Sequence, residues 1–160
     1  MAVDFPYGQA NIQGFADFLT NNVQVPLTVP NNALTLPVVN DYNVNAAYAV
    51  AQCTVDPYIN CVSPIYYTMA MYNFATDWLI NNAPDLECQT YWEKLRAKWM
   101  VNSPISGVVE STADKSTSTS LRVPEVFNNL SPFDLQLMRT PYGRAYMAIA
   151  SKFSDIWGLS

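Results

Sequence analysis

Three of the four Ser-Pro or Thr-Pro pairs in this chain stand directly before apolar runs at helical spacing: Ser63-Pro64, Ser131-Pro132 and Thr140-Pro141. A hydroxyl residue ahead of a helix accepts a hydrogen bond from a backbone N–H that the helix itself cannot pair. Proline at the first helical position gives up an N–H that would have no partner, and its ring presets the helical φ. The fourth pair, Ser103-Pro104, closes a helical region instead, because the residue before proline is pushed out of the α conformation. Starts this well marked commit the chain to a mainly α fold. We expect a small helical bundle with one protruding β-hairpin, about residues 105–123, and an extended N-terminal arm.

The spacing of apolar residues fills in the elements. Ile12, Phe15, Ala16 and Leu19 predict a short amphipathic helix over 9–20. Residues 23–37 alternate around Pro26, Pro30 and Pro37 and read as an extended segment, either an arm on a neighbour or a surface loop. A helix over 40–53 has Asn40 or Asp41 as its cap and Val44, Ala47, Tyr48 and Ala51 on one face. A turn region, 56–62, follows. The helix after Ser63 carries Ile65, Met69, Tyr72, Ala75 or Thr76, and Leu79, widened by Tyr66, Phe74 and Trp78, and stops near Asn81-Asn82-Ala83-Pro84. The next, about 86–101, buries Tyr91, Trp92, Leu95 and Trp99 and turns Glu93, Lys94, Arg96 and Lys98 mostly outward. These two helices are expected to form an antiparallel hairpin. A short helix, 132–139, with Asp134 completing a capping box, leads into a last helix striped by Tyr142, Tyr146, Ile149, Ala150, Phe153 and Trp157.

Between the helical halves, 105–110 and 116–123 read as strands around a turn at Ala113-Asp114-Lys115. Seven of the ten residues 111–120 are Ser or Thr. A hairpin with so few apolar side chains cannot bury itself, so it is a flap or an arm that pairs with something else. At 160 residues the chain fits one domain, divided into an N-terminal segment (1–37), helices (38–101), a hairpin arm (102–124) and C-terminal helices (131–158).

The side-chain inventory narrows the chemistry. There is no histidine, which removes Ser–His–Asp and Cys–His catalysis and His-ligated zinc. Cys53, Cys61 and Cys88 lack the CxxC spacing and read as reduced structural thiols, with a Cys53–Cys61 bridge possible on spacing. The glycines form no phosphate-binding loop. Asp85 and Glu87 are better explained by a helix dipole than by a carboxylate pair. No catalytic, cofactor or metal residue is expected, and the chain reads as non-enzymatic. The N-terminus has neither a basic region nor a long apolar run, so no signal peptide is expected. Nothing is long and apolar enough to span a membrane.

Charge is scarce, 13% of residues, and unevenly placed. Residues 1–93 hold eight acids and no Lys or Arg; residues 94–160 hold all eight bases and five acids. Such a split suits head-to-side stacking of subunits, and chance in a low-charge chain would also produce it. The net charge of −5 argues against bulk attraction to nucleic acid. Lys94, Arg96, Lys98, Arg139 and Arg144 could form a patch, but no reader motif accompanies them.

Residues 135–153, Leu-Gln-Leu-Met-Arg-Thr-Pro-Tyr-Gly-Arg-Ala-Tyr-Met-Ala-Ile-Ala-Ser-Lys-Phe, are the most specific stretch. Thr140-Pro141-Tyr142-Gly143-Arg144, with an aromatic two residues on, resembles the closing signature of the head–tail connector (adaptor, head completion) proteins of tailed bacteriophages. Gly107-Val108-Val109-Glu110-Ser111 and its Ser/Thr-rich continuation resemble that family's central β segment. The aromatic helix at 65–82 sits where the family has its own. The likeness covers roughly 63–157.

That resemblance implies a ring-forming virion protein at the head–tail junction, assembled in the host cytoplasm. Its partners would be further copies of itself, about twelve in a closed ring of heterologous contacts, the portal, and tail or neck proteins, with DNA passing non-specifically through the channel. The interface residues it singles out, with the hairpin, are Ser116, Thr117, Ser118, Thr119, Arg122, Arg139, Tyr142 and Arg144. Within the signature, Thr140 is expected to cap, Pro141 to start the helix, and Gly143 to admit a close neighbour. Arg144 would be left for a carboxylate within or between subunits. Another virion part, such as a tail terminator, neck protein or capsid decoration protein, is the alternative.

Overall fold

The computed structural model of the chain describes residues 9–25, 42–85, 90–102, 112–114, 117–119 and 131–153. Within them the fold is mainly helical. Helix α1, Ile12–Phe18, runs into a π-helical turn, Leu19–Val23. Then come α2 (Tyr42–Thr54), α3 (Tyr58–Val62), α4 (Pro64–Asn82), α5 (Tyr91–Lys98), two three-residue strands, β1 (Thr112–Asp114) and β2 (Thr117–Thr119), and finally α6 (Pro132–Leu137) and α7 (Pro141–Phe153).

The helix starts marked in the sequence are made as expected. Ser63 accepts from the Tyr66 N–H, with Pro64 at the first position of α4. Ser131 and Asp134 close a reciprocal capping box on α6. α4 ends at Ala83, which turns extended ahead of Pro84, the conformation that a following proline imposes. At the other end of the chain's described part, Asn11 caps α1 through the Gly14 N–H. The Tyr72 hydroxyl donates to the Asn11 carbonyl at 3.1 Å and accepts from its N–H at 3.3 Å, so the start of α1 is tied to the middle of α4.

α4 organises the core. α2 packs on it and so does α7, with α3, α5 and the α1 region completing the contacts. An unbroken run from Ala70 to Asp77 is buried on every side, as befits a helix that is apolar nearly all round. The expected faces of α1 and α2 are confirmed: Phe15, Ala16 and Leu19 are buried, and so are Val44, Ala47, Tyr48 and Ala51. Aromatic pairs stitch the helices together, Phe15 with Tyr72 at 5.7 Å and Phe74 with Tyr146 at 5.0 Å between ring centres. Such pairs add about 0.5–1.5 kcal/mol each beyond the area they bury.

Several expectations are corrected. Ile65 and Met69, assigned to the buried stripe of α4, are 41% and 37% exposed, because no described element covers the first turns of that helix on their side. The turn region 56–62 contains α3, which follows Pro57; the Asp56 carboxylate accepts from the Tyr58 N–H at 2.8 Å. α6 stops at Leu137 rather than 139, passing into a turn at Met138 and Arg139. α5 is shorter than 86–101, and its stripe of Tyr91, Trp92, Leu95 and Trp99 is half-buried.

Arg96 does not face outward. Its guanidinium donates to the carbonyls of Ile80 (3.1 Å) and Ala83 (2.8 Å) and pairs with Asp85 at 3.4 Å. It thereby satisfies carbonyls at the C-terminal end of α4, where cations are favoured. Cys53 and Cys61 are free and exposed, not bridged.

β1 and β2 pair antiparallel in the register Thr112–Thr119, Ala113–Ser118 and Asp114–Thr117. Ala113 and Asp114 therefore lie in a strand instead of the expected turn. The expected first strand, 105–110, lies outside the described residues, as do most of the N-terminal arm, the caps Asn40 and Asp41, and residues 154–158 of the last helix. A protruding arm is not shown by a ladder this short. Among the described residues, no helix is long and apolar enough to cross a membrane.

Candidate functional site

The Thr140–Arg144 motif forms the corner between α6 and α7, and that corner is pinned to α4 by a carboxyl that the sequence did not single out. Thr140 is fully buried, and its hydroxyl does two things. It accepts from the Gly143 N–H at 2.9 Å, capping α7, and it donates to Asp77 Oδ1. Gly143 is buried against the same atoms. A Cβ there would overlap the Leu137 carbonyl and come within 2.8 Å of Asp77 Oδ1. The absence of a side chain is what lets the last turn of α6, the first turn of α7 and the middle of α4 meet.

Asp77 is 4% exposed. Its second oxygen accepts from Asn81 Nδ2 at 3.1 Å, while that same nitrogen donates to the Asp77 carbonyl at 2.8 Å. Burial raises its pKa from 3.8 to about 6. The hydrogen bonds from Thr140 and Asn81 pull the other way, since both favour the ionised form. Desolvation wins. The group can hold or release a proton near neutral pH inside the fold.

Above this cluster lies a groove between the C-terminal half of α4 and α6. One hollow, about 210 Å³, is lined by Phe74, Asp77, Trp78, Asn81 and Phe133 among others. A second, about 380 Å³, adjoins it and is bounded by Val101, Pro132 and Arg139. Asn81 and Gln136 line both. Asn81 Oδ1 is buried there without a hydrogen-bond partner among the described residues.

The interface residues named from the sequence fall into two groups. Arg139, Tyr142 and Arg144 gather around the start of α7. The Arg139 guanidinium donates to the Val101 carbonyl. Arg144 is exposed, and its guanidinium lies 3.5 Å from the Met138 carbonyl. Tyr142 is half-buried, its ring edge-on to Phe18 at 6.4 Å and to Trp99 at 5.9 Å, and burial raises its phenol pKa. Thr117, Ser118 and Thr119 form β2. Ser116 and Arg122 lie outside the described residues.

Asp77 and Asn81 were missed, although one signal was present: an acid and an amide four residues apart within a run otherwise written for burial. Among the described residues no three of His, Cys, Asp or Glu gather as they would around a metal ion. No family model, curated protein or solved structure matches the chain.

Proposed function

We propose that this chain is a structural subunit of a tailed-phage virion, a head–tail connector that forms a ring between portal and tail. The observation that carries the reading is how the Thr140–Arg144 signature is spent. Thr140, Pro141 and Gly143 are consumed in fixing α6 and α7 on α4, while Arg144 stands exposed at the outer side of the same turn. A motif used in this way builds a rigid presenting surface, not a reaction centre. The exposed guanidinium is then available for a carboxylate of a neighbour, and the acid-rich, base-free first half of the chain supplies such groups.

In this reading the Ser/Thr-rich hairpin around β1 and β2 projects as an arm, and the Pro-rich N-terminal segment is a second one. Each adds backbone hydrogen bonds to an adjacent subunit. Ring closure uses head-to-tail contacts between unlike faces.

Native mass spectrometry with negative-stain imaging, on the protein alone and with a portal, tests the proposal. A closed ring, or one gained only on the portal, is the expected result and supplies the copy number. A monomer that ignores the portal overturns it.

A further inference from the structure

Asp77 and Asn81 serve the corner between α6 and α7, and that role leaves part of their hydrogen-bonding capacity unused. An ionised carboxylate offers about four acceptor sites. The described residues fill two of them, Thr140 on one oxygen and Asn81 Nδ2 on the other. Among the described residues the salt bridge joins Arg96 to Asp85, and no Lys or Arg pairs with Asp77. A buried charge is normally paired.

The neighbouring amides are spent in one direction. Asn81 Nδ2 donates to the Asp77 carbonyl at 2.8 Å, and Asn82 Nδ2 donates to the Trp78 carbonyl at 2.9 Å. Each uses its N–H groups on its own helix and keeps its oxygen. Asn81 Oδ1 is then a buried acceptor without a partner among the described residues. Leaving such an atom unpaired is costly, so it marks a place where a donor belongs. Both residues line the 210 Å³ hollow together with three aromatic rings, Phe74, Trp78 and Phe133. The centres of Phe74 and Phe133 are 6.2 Å apart, and Phe133 is 49% exposed. The face of an aromatic ring attracts a cation.

We propose that the hollow lined by Phe74, Asp77, Trp78, Asn81 and Phe133 receives the guanidinium of an arginine side chain from a neighbouring protein. The unspent groups of Asp77 and Asn81 are acceptors, so the occupant must donate, and the carboxylate and the rings favour a positive donor. A guanidinium has five N–H donors and no acceptor, stacks flat on aromatic rings, and is more weakly hydrated than an ammonium. Size points to a side chain: 210 Å³ is below the about 300–1,000 Å³ that encloses a whole small-molecule ligand. The adjoining hollow, about 380 Å³, shares Asn81 and Gln136 and adds Asn102. Its amides suit the backbone of the segment that carries the arginine. Arg139 lines that second hollow, and its own guanidinium donates to the Val101 carbonyl.

Nuclear magnetic resonance of the Asp77 carboxyl and the Trp78 indole tests the site at neutral pH. The probes are butylguanidinium, the peptide acetyl-Gly-Arg-Gly-amide, and butylurea as a neutral control of the same shape. Butylguanidinium should shift both resonances saturably, with a dissociation constant on the order of 1 mM for a ligand of this size. It should also move the Asp77 titration midpoint below about 6, because a nearby cation favours the ionised carboxyl. The peptide should give the same shifts and butylurea none. Asp77→Asn should abolish the preference for guanidinium over urea. Phe133→Ala, which removes a half-exposed ring, should weaken binding severalfold with the far-ultraviolet helical signal unchanged. Absence of a saturable shift, an equal response to butylurea, or binding indifferent to both variants overturns the proposal. Entry of butylguanidinium with exclusion of the peptide overturns the protein source and makes the ligand a free small cation. None of these readouts depends on ring formation, so the connector reading stands or falls separately on the mass of the assembly.

Discussion

Asp77 is where residue chemistry has the largest consequence. Folding raises its pKa from 3.8 to about 6, so the folded state binds that proton more tightly than the unfolded chain does. The resulting contribution to stability is complete below pH 3.8 and is lost as pH rises through about 6. The shift corresponds to a loss on the order of 3 kcal/mol. Denaturant titrations at pH 4, 5, 6 and 7 should show the decline, and Asp77→Asn should flatten it while keeping an acceptor for Thr140. A slope unchanged in Asp77→Asn would assign the pH dependence to other groups. Thr140→Val removes both the cap of α7 and a hydrogen bond to the carboxylate. It should cost about 1–3 kcal/mol and move the midpoint of the pH profile upward, because the bond it removes favoured ionisation. Gly143→Ala places a methyl against the Leu137 backbone, where nothing can swing aside. Thermal melts should show a loss of about 1–3 kcal/mol.

Single residues at the ends of elements decide how α4 is held. Its N-terminus depends on Ser63, and Ser63→Ala should cost about 1 kcal/mol. Its C-terminus depends on Arg96, which reaches across from α5 to two carbonyls and Asp85. Arg96→Met keeps the aliphatic stem and removes the donors. We expect a loss of about 1–3 kcal/mol from the unpaired carbonyls, with faster amide exchange in the last turn of α4 and in α5. If exchange there is unchanged, Arg96 is not what joins these elements. α5 itself has no buried residue. It is held by its aromatic stripe, by Arg96, and by the Tyr91 hydroxyl donating to the Val23 carbonyl at 3.3 Å.

For the whole molecule, the connector reading separates folding from assembly. Among the described residues the helices gather their core on α4. Deleting residues 111–120 should therefore leave the far-ultraviolet helical signal intact while abolishing ring or portal assembly in native mass spectra. Survival of the assembly would remove the hairpin from the interface. Arg144→Glu tests the other side of the contact. It leaves the α6–α7 corner built, since Arg144 is exposed, and is expected to weaken subunit association while leaving the melting temperature near that of the native chain.

Much of this architecture was readable in one dimension. Ser63-Pro64, Ser131-Pro132-Phe133-Asp134 and Thr140-Pro141 mark three helix starts because capping is a local event, settled by neighbours within one turn. The buried faces of α1 and α2 were legible too, since each presents a single apolar stripe to one partner. The signature Thr140–Gly143 disclosed a cap and a close approach for the same reason. Periodicity reports that a face is apolar, not what covers it, so it could not tell that α4 is enclosed from Ala70 to Asp77 yet open at Ile65 and Met69. Nor could it pair Asp77 with Thr140, 63 residues later, or turn Arg96 inward to the carbonyls of α4. Those outcomes belong to the tertiary structure alone, because the free energy of a buried charge or an unpaired carbonyl depends on groups that the chain brings together only when it folds.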